Sequence, residues 1–278
     1  MALRDLFCVL EATEDAPKAA LSLAVVLARG YGAQAAFTVA APDIVVPSTF
    51  LSASVVGAIV DEETKKIRRR GDALRDAVRG ACAEASVAAR IQIRNEPFAD
   101  LLELAKGWAR CHDLVVIERP GPVLEHGQSL FEEMLFGTGR PVLIAAPDRE
   151  PVQKIRSIAL AWDGSAYAAR ALGFTLGLFP DLKQAEVLVV TGEKDLSGAV
   201  PGAEIVHHIE RHGAKARVVD LPVEGAGVAA TLDNYAKESG TDLIVMGGFV
   251  HSRWREFVLG GVTRELSKSA RTPLLLAH

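Results

Sequence analysis

The sequence predicts an α/β protein with two tandem, doubly wound parallel five-stranded sheets, and three observations predict it. First, the chain repeats itself. Cys111-His-Asp113-Leu-Val-Val116-Ile returns as Gly240-Thr-Asp242-Leu-Ile-Val245-Met, and Arg140-Pro141-Val142-Leu-Ile144 returns as Thr272-Pro273-Leu274-Leu-Leu276. Second, short β runs alternate with helical patterns in each half, the signature of βαβ units wound into a parallel sheet. Third, the β runs are mostly continuous and apolar, which marks strands covered by helices on both faces.

The elements of the first half follow in order. Leu6–Leu10 is an apolar opening strand, and an alanine-rich helical stretch follows near Pro17–Tyr31. A strand at Gln34–Ala40 leads to a long helix near Val56–Ala85. Its basic run Lys65, Lys66, Arg68, Arg69 and Arg70 sits beside Asp61, Glu62, Glu63 and Asp72, the composition of a solvated helix face. A strand at Ala88–Arg94, a helix at Phe98–Arg110 and a strand at Asp113–Ile117 come next, then a helix near Leu130–Thr138 and a strand at Pro141–Ala145. Ser129 and Glu132 read as a capping box opening that last helix. The second half gives strands at Ser157–Trp162, Glu186–Thr191, Ala216–Leu221, Asp242–Met246 and Leu274–Ala277. Its helices lie near Tyr167–Phe179, Gly202–Arg211, Gly227–Ser239 and Thr263–Ala270. The joint Ala146-Pro-Asp-Arg-Glu-Pro-Val152 is rich in proline and charge and reads as a linker, giving domains at 1–147 and 153–278. The last strand of each half is short and apolar, so it is expected at a sheet edge that pairs with a partner.

At 278 residues the chain can bury two cores of ordinary size, and 49% apolar with 24% charged residues is a globular composition. The formal net charge of -4 provides no basic field for nucleic acid or an anionic membrane. No apolar stretch approaches the roughly 20 residues of a membrane helix, and the start has no apolar signal core. Cys8, Cys82 and Cys111 show neither metal spacing nor a disulfide framework, so the expected location is the reducing cytoplasm.

In open parallel sheets ligands bind beyond the carboxyl ends of the strands, where the strand order reverses. Two stretches of the second half land there: Trp162-Asp163-Gly164-Ser165, and Gly247-Gly248-Phe249-Val250-His251-Ser252-Arg253 continuing to Leu259-Gly260-Gly261-Val262-Thr263. The backbone N–H groups of Gly260, Gly261, Val262 and Thr263 would form a helix N-terminus suited to a phosphate. On spacing alone the glycines serve tight turns equally well, with Thr263 as a capping hydroxyl.

These residues carry a resemblance. Asp163-Gly-Ser165 with Ala168 and Ala171-Leu172 resembles the opening signature of the universal stress protein family. So does the run Asp242-Leu-Ile-Val-Met-Gly-Gly, His251-Ser-Arg253, Arg255-Glu256-Phe257, Leu259-Gly-Gly-Val-Thr263, ending in Pro273-Leu-Leu-Leu. The first half resembles the family through its fold pattern and Gly139-Arg-Pro-Val-Leu, so the whole resembles a tandem, two-domain member. The resemblance implies an adenine nucleotide alpha hydrolase-like fold. In one branch it also implies a pocket for ATP or another adenine nucleotide, built from Gly, two residues, Gly, nine residues, then Gly and Ser or Thr. Gly247 holds the first place and Gly260 the third. Val250 stands where the middle glycine belongs, and Gly261 replaces the hydroxyl residue. Asp163 matches the acidic residue on the adenine side, Gly248 and His251 lie in the same loop, and Val262 and Thr263 lie in the phosphate-facing turn. If the middle glycine is used for φ > 0, valine there costs ~1–2 kcal/mol or reshapes the loop. The family's terminal strands pair across a dyad, which implies an intramolecular pseudo-dimer here, or a homodimer.

In the first half Glu11-Ala12-Thr13 stands in place of Asp163, and the loop after the fourth strand is shorter and holds Pro120 and Pro122. Nucleotide is therefore expected in the second half only. His208 and His212 have metal-chelating i, i+4 spacing beside His207, but no third ligand is evident, so a solvated face and no metal are expected. There is no Gly-x-Ser-x-Gly elbow, no Walker lysine and no dinucleotide fingerprint, and nothing requires an enzyme. The leading expectation is a non-enzymatic stress-response binding or signalling protein. A nucleotide-free interaction scaffold with an unidentified protein partner is the alternative, and a slow ATPase the third.

Overall fold

The computed structural model describes residues 2–44, 55–121, 126–191, 202–223, 225–248 and 260–278. The first half contributes β1 (Asp5–Glu11), α1 (Lys18–Tyr31), β2 (Gln34–Ala40), α2 (Val55–Ala85), β3 (Ala89–Arg94), α3 (Phe98–Ala109), β4 (Leu114–Ile117), α4 (Gly127–Gly137) and β5 (Val142–Ile144). The second contributes β6 (Ser157–Ala161), α5 (Ala166–Leu178), β7 (Gln184–Thr191), α6 (Gly202–Arg211), β8 (Lys215–Pro222), α7 (Val228–Ser239), β9 (Leu243–Gly247), α8 (Gly261–Ser269) and β10 (Leu274–Ala277).

Strand pairing merges the two expected sheets into one of ten strands, in the order β3-β2-β1-β4-β5-β10-β9-β6-β7-β8. Within each half all neighbours are parallel. The halves meet where β5 and β10 run antiparallel, with Leu274 opposite Ile144, Leu275 opposite Leu143 and Leu276 opposite Val142. Successive strand residues feed two cores. Leu6, Cys8, Leu143 and Leu275 face the layer of α1, α2, α5 and α6, whereas Phe7, Val9, Ile144 and Leu274 face α3, α4, α7 and α8. A continuously apolar strand thus fills both layers at once.

The repeat is also visible in hydrogen bonding. Asp113 Oδ2 accepts from the backbone N–H groups of Arg4 and Asp5, both at 3.0 Å. Asp242 Oδ2 accepts from those of Arg156 and Ser157, at 2.8 and 2.9 Å. In both halves the acidic residue that leads the fourth strand ties it to the start of the first.

Two expectations need correction. The outermost strands are not continuously apolar: β8, Lys-Ala-Arg-Val-Val-Asp-Leu-Pro, is exposed at five of its eight residues, and β3 is nowhere fully buried. Both are sheet edges, where charge and proline block pairing with another chain. Ser129 does not cap α4. The helix starts at Gly127 after His126, so Ser129 lies inside its first turn, and among the described residues no side chain caps it. His126 stacks on Phe98 at 3.8 Å, an anchorage that extends the helix backwards.

Candidate functional site

The chain winds from β6 outward to β7 and β8, then returns to β9 and β10 on the other side. The order reverses between β6 and β9, so the crevice of the second half opens beyond their carboxyl ends. Asp163 follows β6, Gly248 follows β9, and α8 starts on the same edge of the sheet.

The turn after β6 is built by hydrogen bonds. Asp163 Oδ1 accepts from the Ser165 N–H at 3.0 Å, Gly164 takes φ 73°, and Ser165 Oγ caps α5 by accepting from the Ala168 N–H at 3.1 Å. A residue with a Cβ would strain at Gly164, since positive φ favours glycine. Gly247 is needed for a different reason. A Cβ there would lie 2.7 Å from the Ala168 nitrogen and 2.7 Å from Tyr167 Cβ, so β9 ends flush against the first turn of α5.

Gly248 faces the other half of the molecule. A Cβ on it would come within 2.8 Å of Leu135 Cδ2 on α4. Its N–H donates to Ala277 O at 2.8 Å, and its carbonyl lies 3.0 Å from His278 Nδ1. The His278 ring stacks on Tyr167, with centroids 4.7 Å apart at 18°, and meets Phe136 of α4 edge-on at 4.9 Å. The first half therefore supplies one wall of the second half's crevice. Leu135, Phe136, Tyr167 and His278 leave no local pattern in the sequence, because the first two come from the other half and the Tyr167–His278 stack joins the two ends of the second.

Gly260 is buried and precedes α8 with φ -59° and ψ 148°, and among the described residues no side chain caps the helix. Gly261 is exposed, Val262 half-buried, and Thr263 only 2% exposed. The structure thus brings Asp163, Gly247 and Gly248 to one strand-end crevice and sets Gly260, Gly261, Val262 and Thr263 at the helix start on that edge. Val250 and His251 lie outside the described residues.

The first half fills the corresponding place with carboxylate. Glu118 occupies the position of Gly247 in the repeat, and its Oε2 accepts from the Ala20 N–H at 2.9 Å. Ala20 corresponds to Ala168, so Glu118 does for α1 what Ser165 does for α5. Burial pushes the Glu118 carboxyl above its ordinary range, opposed by the N–H groups of Ala20, Arg119 and Ala19. The Pro120–Gly121 backbone also runs close to Gly127 at the start of α4, 3.5 Å from where its Cβ would stand. Aligning Asp113 with Asp242 puts Glu118 on Gly247, and that was the available signal. Among the described residues no group of His, Cys, Asp and Glu could hold a metal; His208 and His212 only pack edge-on, centroids 4.8 Å apart.

Comparison with known proteins bears on this crevice directly: the universal stress protein family model matches residues 154–278, which contain Asp163, the glycines and the start of α8. Residues 154–278 belong to the universal stress protein family. A universal stress protein of Synechocystis sp. (strain ATCC 27184 / PCC 6803 / Kazusa) is 27% identical over 182 residues, 63% of this chain. The match spans 60% of that relative's length. The solved universal stress protein of Archaeoglobus fulgidus DSM 4304 is similar in fold over the whole molecule, with TM-score 0.64 and 15% identity, covering 98% of this chain and 97% of that one. A protein of unknown function from Pseudomonas aeruginosa PAO1 gives TM-score 0.51 and 12% identity, covering 99% and 92%. The universal stress protein fold therefore extends over the first half too, where the crevice carries Glu118.

Proposed function

We propose that this chain is a non-enzymatic binding protein of the universal stress type that takes an adenine nucleotide such as ATP in its second half. The observation that supports it most is the start of α8 at Gly260, where no side chain of the described residues caps the first N–H groups, which have no partner within the helix and suit a phosphate. Asp163, at the neighbouring strand end, suits the base or ribose. In the first half the strand end that Gly247 occupies in the second carries Glu118, whose carboxylate takes the Ala20 N–H. The β5–β10 register supports reading the two halves as an intramolecular pseudo-dimer of two domains. Free Cys8, Cys82 and Cys111 support a cytoplasmic setting.

One observation favours the nucleotide-free scaffold instead. Gly247 and Gly248 both have structural uses, against α5 and Leu135, so neither needs a ligand to explain it. Calorimetry separates the two readings. Full-length chain should bind ATP saturably, and Asp163→Asn, which keeps the turn's acceptor and removes the charge, should weaken binding about tenfold, or ~1.4 kcal/mol. Val250→Gly should tighten it about fivefold, or ~1 kcal/mol. If neither wild type nor Val250→Gly binds any adenine nucleotide, the scaffold reading replaces this one.

A further inference from the structure

The repeat matches each position around the end of β5 to one around the end of β10. Pro17 and Ser165 both precede their helices, so Ala19 corresponds to Tyr167. The buried faces agree, with Ala20, Leu23 and Ala24 on α1 and Ala168, Ala171 and Leu172 on α5. Pro141 corresponds to Pro273, so Ala146 corresponds to His278. In the second half Tyr167 and His278 are the stacked ring pair. In the first half both positions are alanine, and a cleft of about 190 Å³ stands between α1, the end of β5 and the linker, lined by both alanines.

Leu23 and Pro273 add apolar wall, and the charged groups of the cleft are unbalanced. Arg149 is held by neutral acceptors, Thr272 Oγ1 at 3.2 Å and the Gly240 carbonyl at 3.0 Å, which fix the guanidinium without neutralising it. Lys18, from the start of α1, also lines the cleft, and Glu150 is the one carboxylate in the lining. Two cations against one carboxylate leave an excess positive charge that suits a single anion.

We propose that this cleft binds a small planar aromatic monoanion. Its ring lies beside Ala19 and Ala146, where the second half carries rings of its own, and its carboxylate lies between Lys18 and Arg149. This site is separate from the crevice of the second half and does not depend on nucleotide binding.

The test uses full-length protein and benzoate, followed by calorimetry and by saturation-transfer NMR. Benzoate should bind saturably, and benzyl alcohol, a ring of similar size without charge, should bind several-fold more weakly. The double substitution Ala19→Tyr and Ala146→His reproduces the ring pair of the second half and should abolish binding while circular dichroism stays native. Lys18→Ala, at an exposed position, should weaken benzoate at least threefold without altering the melting temperature. The proposal is overturned if benzoate shows no saturable binding up to about 10 mM, or if the folded double variant binds it as wild type does. Should the double variant not fold, an unchanged benzoate affinity in Lys18→Ala overturns it.

Discussion

A helix that starts at the carboxyl edge of a sheet has N–H groups that something must satisfy, and the two halves answer with different residues. Ser165 caps α5 from within its own turn, whereas Glu118 reaches α1 from the end of β4. The second solution buries a carboxyl, and its consequence is readable in pH. Burial raises the Glu118 carboxyl, so the folded chain holds this proton more tightly than the unfolded chain. The stability it contributes is full below the ordinary carboxylate range and is lost as pH rises through the raised value. Glu118→Gln keeps an acceptor for Ala20 and removes the charge. Urea titrations should show the variant gaining on wild type as pH rises from about 4 to 8, and a constant difference between the two would contradict this. At Gly247 the obstacle is steric. A Cβ would meet backbone, which cannot yield, so Gly247→Ala should cost about 1–3 kcal/mol. Gly261→Ala is the control: nothing lies within 4 Å of its added carbon, and it should be neutral or stabilising in the same measurement.

At the scale of elements, most of the fold was legible in the sequence because its signals are local. β2 and β10 fall on the residues predicted for them, and α2 starts one residue early. Those segments have long periodic or continuous apolar patterns with clear breaks. The start of α4 was misread because Ser129-Leu-Phe-Glu132 satisfies the capping-box pattern, while the Phe98–His126 stack that moves the start to Gly127 joins residues distant in sequence. The union of the two sheets lies beyond any single-half pattern; short apolar final strands pointed to pairing, but the register depends on both. At the candidate site, the strand-end places of Asp163, Gly247 and Gly248 were legible from the order of strands, and their roles came only from the resemblance. Leu135, Phe136 and His278 were not legible, since they arrive from the other half or from the last strand. Serine substitutions test the corrected helix starts. Ser165→Ala removes an observed cap and should cost ~1 kcal/mol. Ser129→Ala, inside α4, should change stability by less than about 0.5 kcal/mol. Equal losses at the two serines in urea denaturation would restore Ser129 as a cap.

The whole molecule is held together by more than a linker. Leu143 and Leu275, both fully buried, face each other across the antiparallel junction. Around them the Leu3 N–H donates to Leu178 O at 3.1 Å, the Ile155 N–H donates to Tyr31 Oη at 2.9 Å, and the Tyr31 ring packs on Phe179 at 5.6 Å. One buried cluster runs from Leu6 through Leu143 and Leu275 to Val187. Either half alone would expose its final strand as an apolar edge, and exposed apolar edges are what sheets avoid. The halves should therefore unfold together, although each has a complete set of elements. Trp108 reports on the first half and Trp162, 8% exposed, on the second. In variants that keep one of these tryptophans and replace the other two by phenylalanine, the urea midpoints should coincide. Leu143→Ala sharpens the test. It opens a cavity at the junction at a cost of about 2–5 kcal/mol, and if the junction couples the halves, the midpoints read by Trp108 and Trp162 must fall by the same amount. A midpoint that falls for Trp108 while Trp162 holds its wild-type value would mean that β5 and β10 touch without coupling, and that the second half folds on its own core.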